Sequence, residues 1–265
     1  MIDHGVTDGE RLCNYLHHGV LGTRVWNDLV EALRPTGRAE DLVEFYRQIG
    51  AVTLTQRIVK AGTTFADVGL DDPQFKIQFK AYLREIVGIS PTILDTVYRF
   101  SERAVSAAKE NFTKGIQRHM RDWAELRHPN CYMCGRSIDF ASKDSDLSYT
   151  CEHVWPRSYG GNSDVDNLLP ACFQCNNDIK SDFTTWVMPP IHSFVLGIGP
   201  SEENLSRVPR HFKFALHYRA AQHLSSEKRQ SLKKSFLQLG PWKQTTICQN
   251  DDVVDFFNLQ NVTQN

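Results

Sequence analysis

No apolar run in this 265-residue chain approaches the roughly 20 residues that a helix needs to span a bilayer, so an embedded membrane protein is not expected. The opening MIDHGVTDGERL has no basic stretch followed by an apolar one, so a secretory leader is not expected and a cytoplasmic location is. Internal repeats and low-complexity tracts are also missing. With 41% hydrophobic and 23% charged residues, the chain is not mainly disordered and is long enough for one or two domains with a core. Net charge is nearly absent, at −1, which taken alone argues against a simple polyanion binder. Cysteine is present in an odd number, seven, which without a leader does not read as a secreted disulfide framework.

The small net charge conceals a division. Residues 1–130 are balanced, residues 131–206 carry a net −6 and residues 207–265 a net +5. The acidic middle also holds two Cys-x-x-Cys pairs, Cys131/Cys134 and Cys172/Cys175. Two such knuckles offer four thiolates, which is what Zn²⁺ takes in a closed tetrahedral structural site. A redox Cys-x-x-Cys normally occurs once, at a helix start in a βαβ setting that is absent here. Cys13, Cys151 and Cys248 read as small buried side chains.

Three segments follow from the pattern. Residues 1–128 read as helical, with apolar helical spacing over Asp28–Leu33 and Ala39–Lys60, broken by Pro35 and Gly37. Asp72-Pro73 and Ser90-Pro91 read as helix starts. The spacing from Leu94 to Trp123 predicts one long helix of about 35 residues, kinked at Gly115. It is read as core or partner packing. Residues 129–185 contain the cysteines, a β-like stretch over Leu147–Val154 and the Gly160-Gly161 turn. Residues 186–265 read as mostly helical, chiefly Val208–Leu239 before the Gly240-Pro241 stop.

Between the knuckles runs Cys151-Glu152-His153-Val154-Trp155-Pro156-Arg157-Ser158-Tyr159-Gly160-Gly161. Asn167 follows in Asn167-Leu168-Leu169-Pro170, then Asn176 directly after Cys175, then Lys180. This stretch, about 50 residues from Cys131 to Lys180, resembles the HNH endonuclease family, with its ββα-metal fold and four-cysteine zinc knuckle. The likeness rests on an acid-His pair, a Pro-Arg-Ser-x-Gly-Gly loop, an Asn-Leu-x-Pro turn and a Cys-Asn-x-x-x-Lys helix start. It does not cover the flanking segments. The fold class it implies is α+β: a mainly helical protein with a central ββα-metal module stapled by zinc.

The resemblance implies roles that ordinary chemistry supports. His153 is the expected general base, because a neutral imidazole takes a proton near cellular pH. Glu152 and Asn176 are the expected oxygen ligands of a catalytic Mg²⁺ or Mn²⁺, and Cys131, Cys134, Cys172 and Cys175 those of a structural Zn²⁺. Asn167 would orient His153, and Arg157 would contact a phosphate. The sequence departs from the family pattern at Asn176, which replaces a histidine, and at Glu152, where aspartate is frequent. Without the third histidine, Mg²⁺ or Mn²⁺ is expected at the active centre over Zn²⁺ or Ni²⁺.

The expected substrate is double-stranded DNA. In residues 207–234, eight cations face a single acid, Glu227: Arg207, Arg210, Lys213, Arg219, Lys228, Arg229, Lys233 and Lys234. They read either as a solvated helix face or as a grip on the phosphate backbone. An HNH nuclease with helical flanks also resembles effectors of Septu-like or retron-associated anti-phage systems, where the nuclease is paired with an ATPase. The alternative from another class is a non-catalytic zinc-knuckle module that binds nucleic acid or assembles a complex, which needs the cysteines but not Glu152, His153 or Asn176.

Overall fold

The computed structural model describes residues 5–22, 26–37, 39–69, 71–179 and 210–241. Lys180, Arg207, Cys248 and the segment 186–209 therefore lie outside the described residues, as do the side chains of Arg210, Lys213 and Arg219. Among the described residues the protein is mainly helical, with a two-stranded sheet and a four-cysteine cluster in its middle segment. No described helix is long and apolar enough to cross a membrane. The chain forms two compact units. The first is Met1–Gln117 with His153–Leu168, and the second comprises the described parts of Arg118–Glu152 and Leu169–Asn265.

The first unit is built on helices α1 (Asp8–Tyr15), α2 (Trp26–Leu33), α3 (Ala39–Asp67), α4 (Asp72–Glu85) and α5 (Leu94–Lys109). Thr7 and Glu10 form a reciprocal capping box that starts α1. Asp71 caps α4 by accepting from the Gln74 N–H, with Pro73 in the first turn where its missing donor costs nothing. The first unit's core is apolar and helical: Leu12, Leu16, Ile58, Phe79, Leu83, Val97 and Ala104 are all fully buried. Phe79 is its aromatic hub, with ring contacts to Phe65, Phe75, Tyr82 and Tyr98.

The single long helix expected from Leu94 to Trp123 is two helices. The first, α5, ends at Lys109, where Glu110 leaves helical geometry with ψ 135°. The second, α6, spans Lys114–Arg127. Thr113 starts it, accepting from the Ile116 N–H with its hydroxyl and from the Gln117 N–H with its carbonyl. A threonine cap resets the helix three residues past Glu110, so the break precedes Gly115.

The second unit holds most of α6, the cysteine cluster, and helices α7 (Arg210–Lys228) and α8 (Leu232–Leu239). The continuous helix expected through Val208–Leu239 is interrupted by Arg229 at φ 50° and restarted by the Ser231 cap. Gly240 ends α8, its N–H reaching the Phe236 carbonyl. Phe236 anchors the packing, with ring centroids 5.2 Å from Tyr132, 5.4 Å from Tyr218 and 5.2 Å from His217. Burial lowers the His217 pKa to about 4, so this ring is neutral in the core.

Strands β1 (Tyr149–His153) and β2 (Leu168–Cys172) form the sheet. Phe173 donates to Ser148 and Val154 to Asn167, so the partners run in opposite directions. All five β2 residues are buried. A helical segment follows from Phe173, and its Cys175–Ile179 stretch is wound as a π-helix.

Candidate functional site

In the second unit, the sulfurs of Cys131, Cys134, Cys172 and Cys175 lie within 4.8 Å of one another, and all four residues are buried. Cys134 and Cys172 Sγ are 3.9 Å apart. A tetrahedron with Zn–S bonds of about 2.3 Å has sulfurs about 3.8 Å apart, so the donor set fits Zn²⁺. The first knuckle turns tightly, with the Gly135 N–H donating to the Cys131 carbonyl and the Cys131 N–H to the Arg136 carbonyl. Arg136 directs its guanidinium at the sulfurs: Nε lies 3.4 Å from Cys134 Sγ, and Nη2 lies 3.9 Å from Cys172 Sγ and 2.7 Å from Gln174 Oε1. Hydrogen bonding with the other cysteines, led by Cys131, pulls the Cys134 thiol far below its ordinary range, and Arg136 adds to this. Cys131 leads the same effect on Cys172, lowered to about 6.

Glu152 and Asn176 belong to the same unit. Glu152 is buried near the end of β1, and its charge is felt by Tyr132 and Cys151. Asn176 is half-buried in the π-helical turn. Such turns are frequent at functional positions.

His153 and the loop after it belong to the first unit. Asn167 fastens the loop next to His153. Its carbonyl accepts from the Val154 N–H at 2.8 Å, and its Oδ1 accepts from the Trp155 N–H at 2.7 Å. Its Nδ2 donates to the carbonyls of Trp155 and Asn162, both at 2.9 Å. Trp155 is 1% exposed and closes the loop by donating Nε1–H to the Tyr159 carbonyl.

Helix α1 backs the same loop. The Gly9 N–H donates to the Gly160 carbonyl at 2.8 Å, and the Asp8 N–H to Asn162 Oδ1 at 2.8 Å. A Cβ on Gly9 would lie 2.0 Å from the Tyr159 carbonyl oxygen, so only glycine lets the helix approach this closely. Gly160 turns the loop at φ 82° against Ala104 of α5, in a conformation that favours glycine.

Arg157 lies in the 3-10 turn Arg157–Tyr159 and donates through Nη2 to the carbonyls of Ala108 and Glu110, at 3.0 and 2.9 Å. It thereby caps the C-terminus of α5. A cleft of about 930 Å³ adjoins this region. Among its lining residues are four carboxylates, Asp8, Asp72, Glu102 and Glu110, against two cations, Arg103 and Lys109. That balance does not suit a phosphate backbone. Among the described members of the basic stretch, Lys228, Arg229 and Lys234 are exposed, whereas Lys233 sits 4.6 Å over the Trp123 ring.

Sequence reasoning passed over Gly9, Glu110, Asn162, Ser163 and Arg136. The Thr7-x-x-Glu10 pattern is a readable capping box and would have revealed α1. Nothing in sequence spacing pairs Glu110 with a loop about fifty residues away.

Neither the curated proteins nor the solved structures contain a match to the chain. Residues 131–182 match the HNH endonuclease family model, and the buried four-cysteine cluster within them fits the zinc knuckle of such a domain.

Proposed function

We propose that the protein is a metal-dependent endonuclease that hydrolyses phosphodiester bonds of double-stranded DNA. The observation that carries this reading is His153 at the end of β1, beside a loop clamped through Asn167, within the stretch that matches the HNH endonuclease family. In this reading His153 takes the proton from the attacking water, and Asn167 keeps the loop that orients it rigid. Glu152 and Asn176 supply hard oxygen donors suited to Mg²⁺ or Mn²⁺. When bound, such an ion neutralises charge on the phosphate and the departing oxygen. Arg157 is committed through Nη2 to two carbonyls, so its part here is to hold the loop. The zinc site is structural, since four cysteines leave no open position.

The test is cleavage of supercoiled plasmid in Mg²⁺ or Mn²⁺ by the wild type and by a His153→Ala variant shown to retain zinc. The expected outcome is cleavage by the wild type and a loss of about 10²-fold or more in the variant. Equal rates in both sink the reading. If both are inert with any partner present, the non-catalytic zinc-knuckle alternative takes its place. The defence reading and its ATPase partner rest on resemblance alone. A neighbouring ATPase or reverse-transcriptase gene would support them, and neighbouring packaging genes would favour a phage role.

A further inference from the structure

The imidazole of His153 is held by residues that no part of the motif marks. Its Nε2 lies 2.9 Å from Ser163 Oγ. Ser163 is 1% exposed, and its N–H donates to Glu110 Oε2 at 3.0 Å. Glu110 leaves helical geometry at the end of α5, and its carbonyl accepts from Arg157. One residue thus anchors the loop at two points, through its carboxylate to Ser163 and through its carbonyl to Arg157. The Phe112 ring, two residues further on, meets the His153 ring at 5.4 Å with an interplanar angle of 66°.

We propose that Ser163, seated by Glu110, is a positioning residue that fixes the tautomer and orientation of His153. The inference rests on the general-base reading above and deepens it. A neutral imidazole carries one N–H and one lone pair, and what each nitrogen faces decides which is which. Nε2 faces Ser163 Oγ, and a hydroxyl can accept from Nε2–H or donate to Nε2. A base that takes the proton from water on Nδ1 needs its lone pair there, so in the general-base reading Nε2 carries the hydrogen and Ser163 Oγ accepts it. After that transfer both nitrogens carry protons, and Ser163 Oγ still accepts from Nε2–H. The hydrogen bond is therefore kept through the step, with no reorganisation of the ring. With the hydroxyl removed, the ring can exchange tautomers, and the fraction with its lone pair on Nδ1 falls.

The experiment combines kinetics with NMR of the histidine ring nitrogens, using the full chain with its zinc. Ser163→Ala should lower kcat by about tenfold to a hundredfold with KM within about twofold, since a misoriented base affects the reacting geometry and not the binding. Ser163→Thr, which keeps the hydroxyl, should restore most of the loss. In the spectra, His153 should be Nε2-protonated in the wild type and a tautomer mixture in Ser163→Ala. Glu110→Gln, which keeps an oxygen to accept from the Ser163 N–H, should be milder than Glu110→Ala. If Ser163→Ala does not fold, Ser163→Cys gives the same comparison with a weak acceptor in nearly the same volume. Wild-type kcat and an unchanged tautomer in the Ala or Cys variant would overturn the proposal. An active His153→Ala would instead overturn the base reading, and the ring-nitrogen spectra would still report whether Ser163 sets the tautomer.

Discussion

Between Glu152 and His153 the chain passes from one compact unit to the other, and the two units are held by different physics. The second gathers four buried sulfurs around a position for one ion. The first packs α3, α4 and α5 around Phe79 and fastens the His153 loop with polar clamps at Asp8, Gly9, Glu110 and Asn167. The matched stretch is continuous in sequence, yet its residues are divided between the two compact units. The part with the four cysteines gathers a donor set that fits one ion, and the part with His153 is an extension of a helical core.

Removing the metal should separate the two most strongly. Structural zinc is linked to folding by about 10 kcal/mol or more in small sites. A strong chelator, or Cys172→Ser, should abolish the melting transition of the second unit and leave that of the first. Calorimetry with zinc analysis would read this, and a single transition lost as a whole would break the comparison. Next is Asn167→Ala, which strips partners from the Trp155 N–H and from two carbonyls. It should cost about 3 kcal/mol in the first transition while zinc content stays at one per chain.

A pH test addresses the first unit alone. Glu10 is buried, and desolvation raises its pKa from 4.5 to about 7 despite the opposing hydrogen bonds from Thr7 and Val6. The folded state thus binds its proton more tightly than the unfolded state. The resulting stability is complete below about pH 4.5 and is lost as pH rises to about 7. The shift corresponds to about 3 kcal/mol, and Glu10→Gln should flatten that slope. A parallel slope in wild type and variant would remove Glu10 as its source.

Smaller effects follow. Gly9→Ala should cost about 2 kcal/mol through the clash at Tyr159, read by denaturant titration of the first unit. Arg136→Met should weaken zinc binding about tenfold, read by chelator competition, because the guanidinium no longer offsets the charge of the thiolates.

The zinc ligands were legible because metal chemistry needs a short, rigid spacing, and Cys131/Cys134 and Cys172/Cys175 carry it in sequence. The helix start at Asp72-Pro73 was local too, whereas the Ser231 cap lies inside a stretch whose apolar spacing runs on. Helix continuity was not. Apolar spacing runs through Leu94–Trp123, while Thr113 resets the helix by a cap that outweighs periodicity. A cation in a nuclease motif invites the reading of Arg157 as a phosphate contact, and nothing near it in sequence announces the carbonyls of Ala108 and Glu110 that its Nη2 meets. The supports of the loop are long-range contacts between otherwise ordinary residues, and single-sequence patterns do not encode those pairings.

The tie between Gly9 and Gly160 has a consequence for anyone wishing to transplant the module. A cassette cut at residues 129 and 185 would carry every zinc ligand and every motif residue. It would leave behind α1 and the end of α5, and with them Asp8, Gly9 and Glu110. Zinc loading by such a graft would report only on the cysteines, while His153 would sit on a slack loop. Portability would therefore have to be judged by the rigidity of that loop, and metal content alone would overstate it.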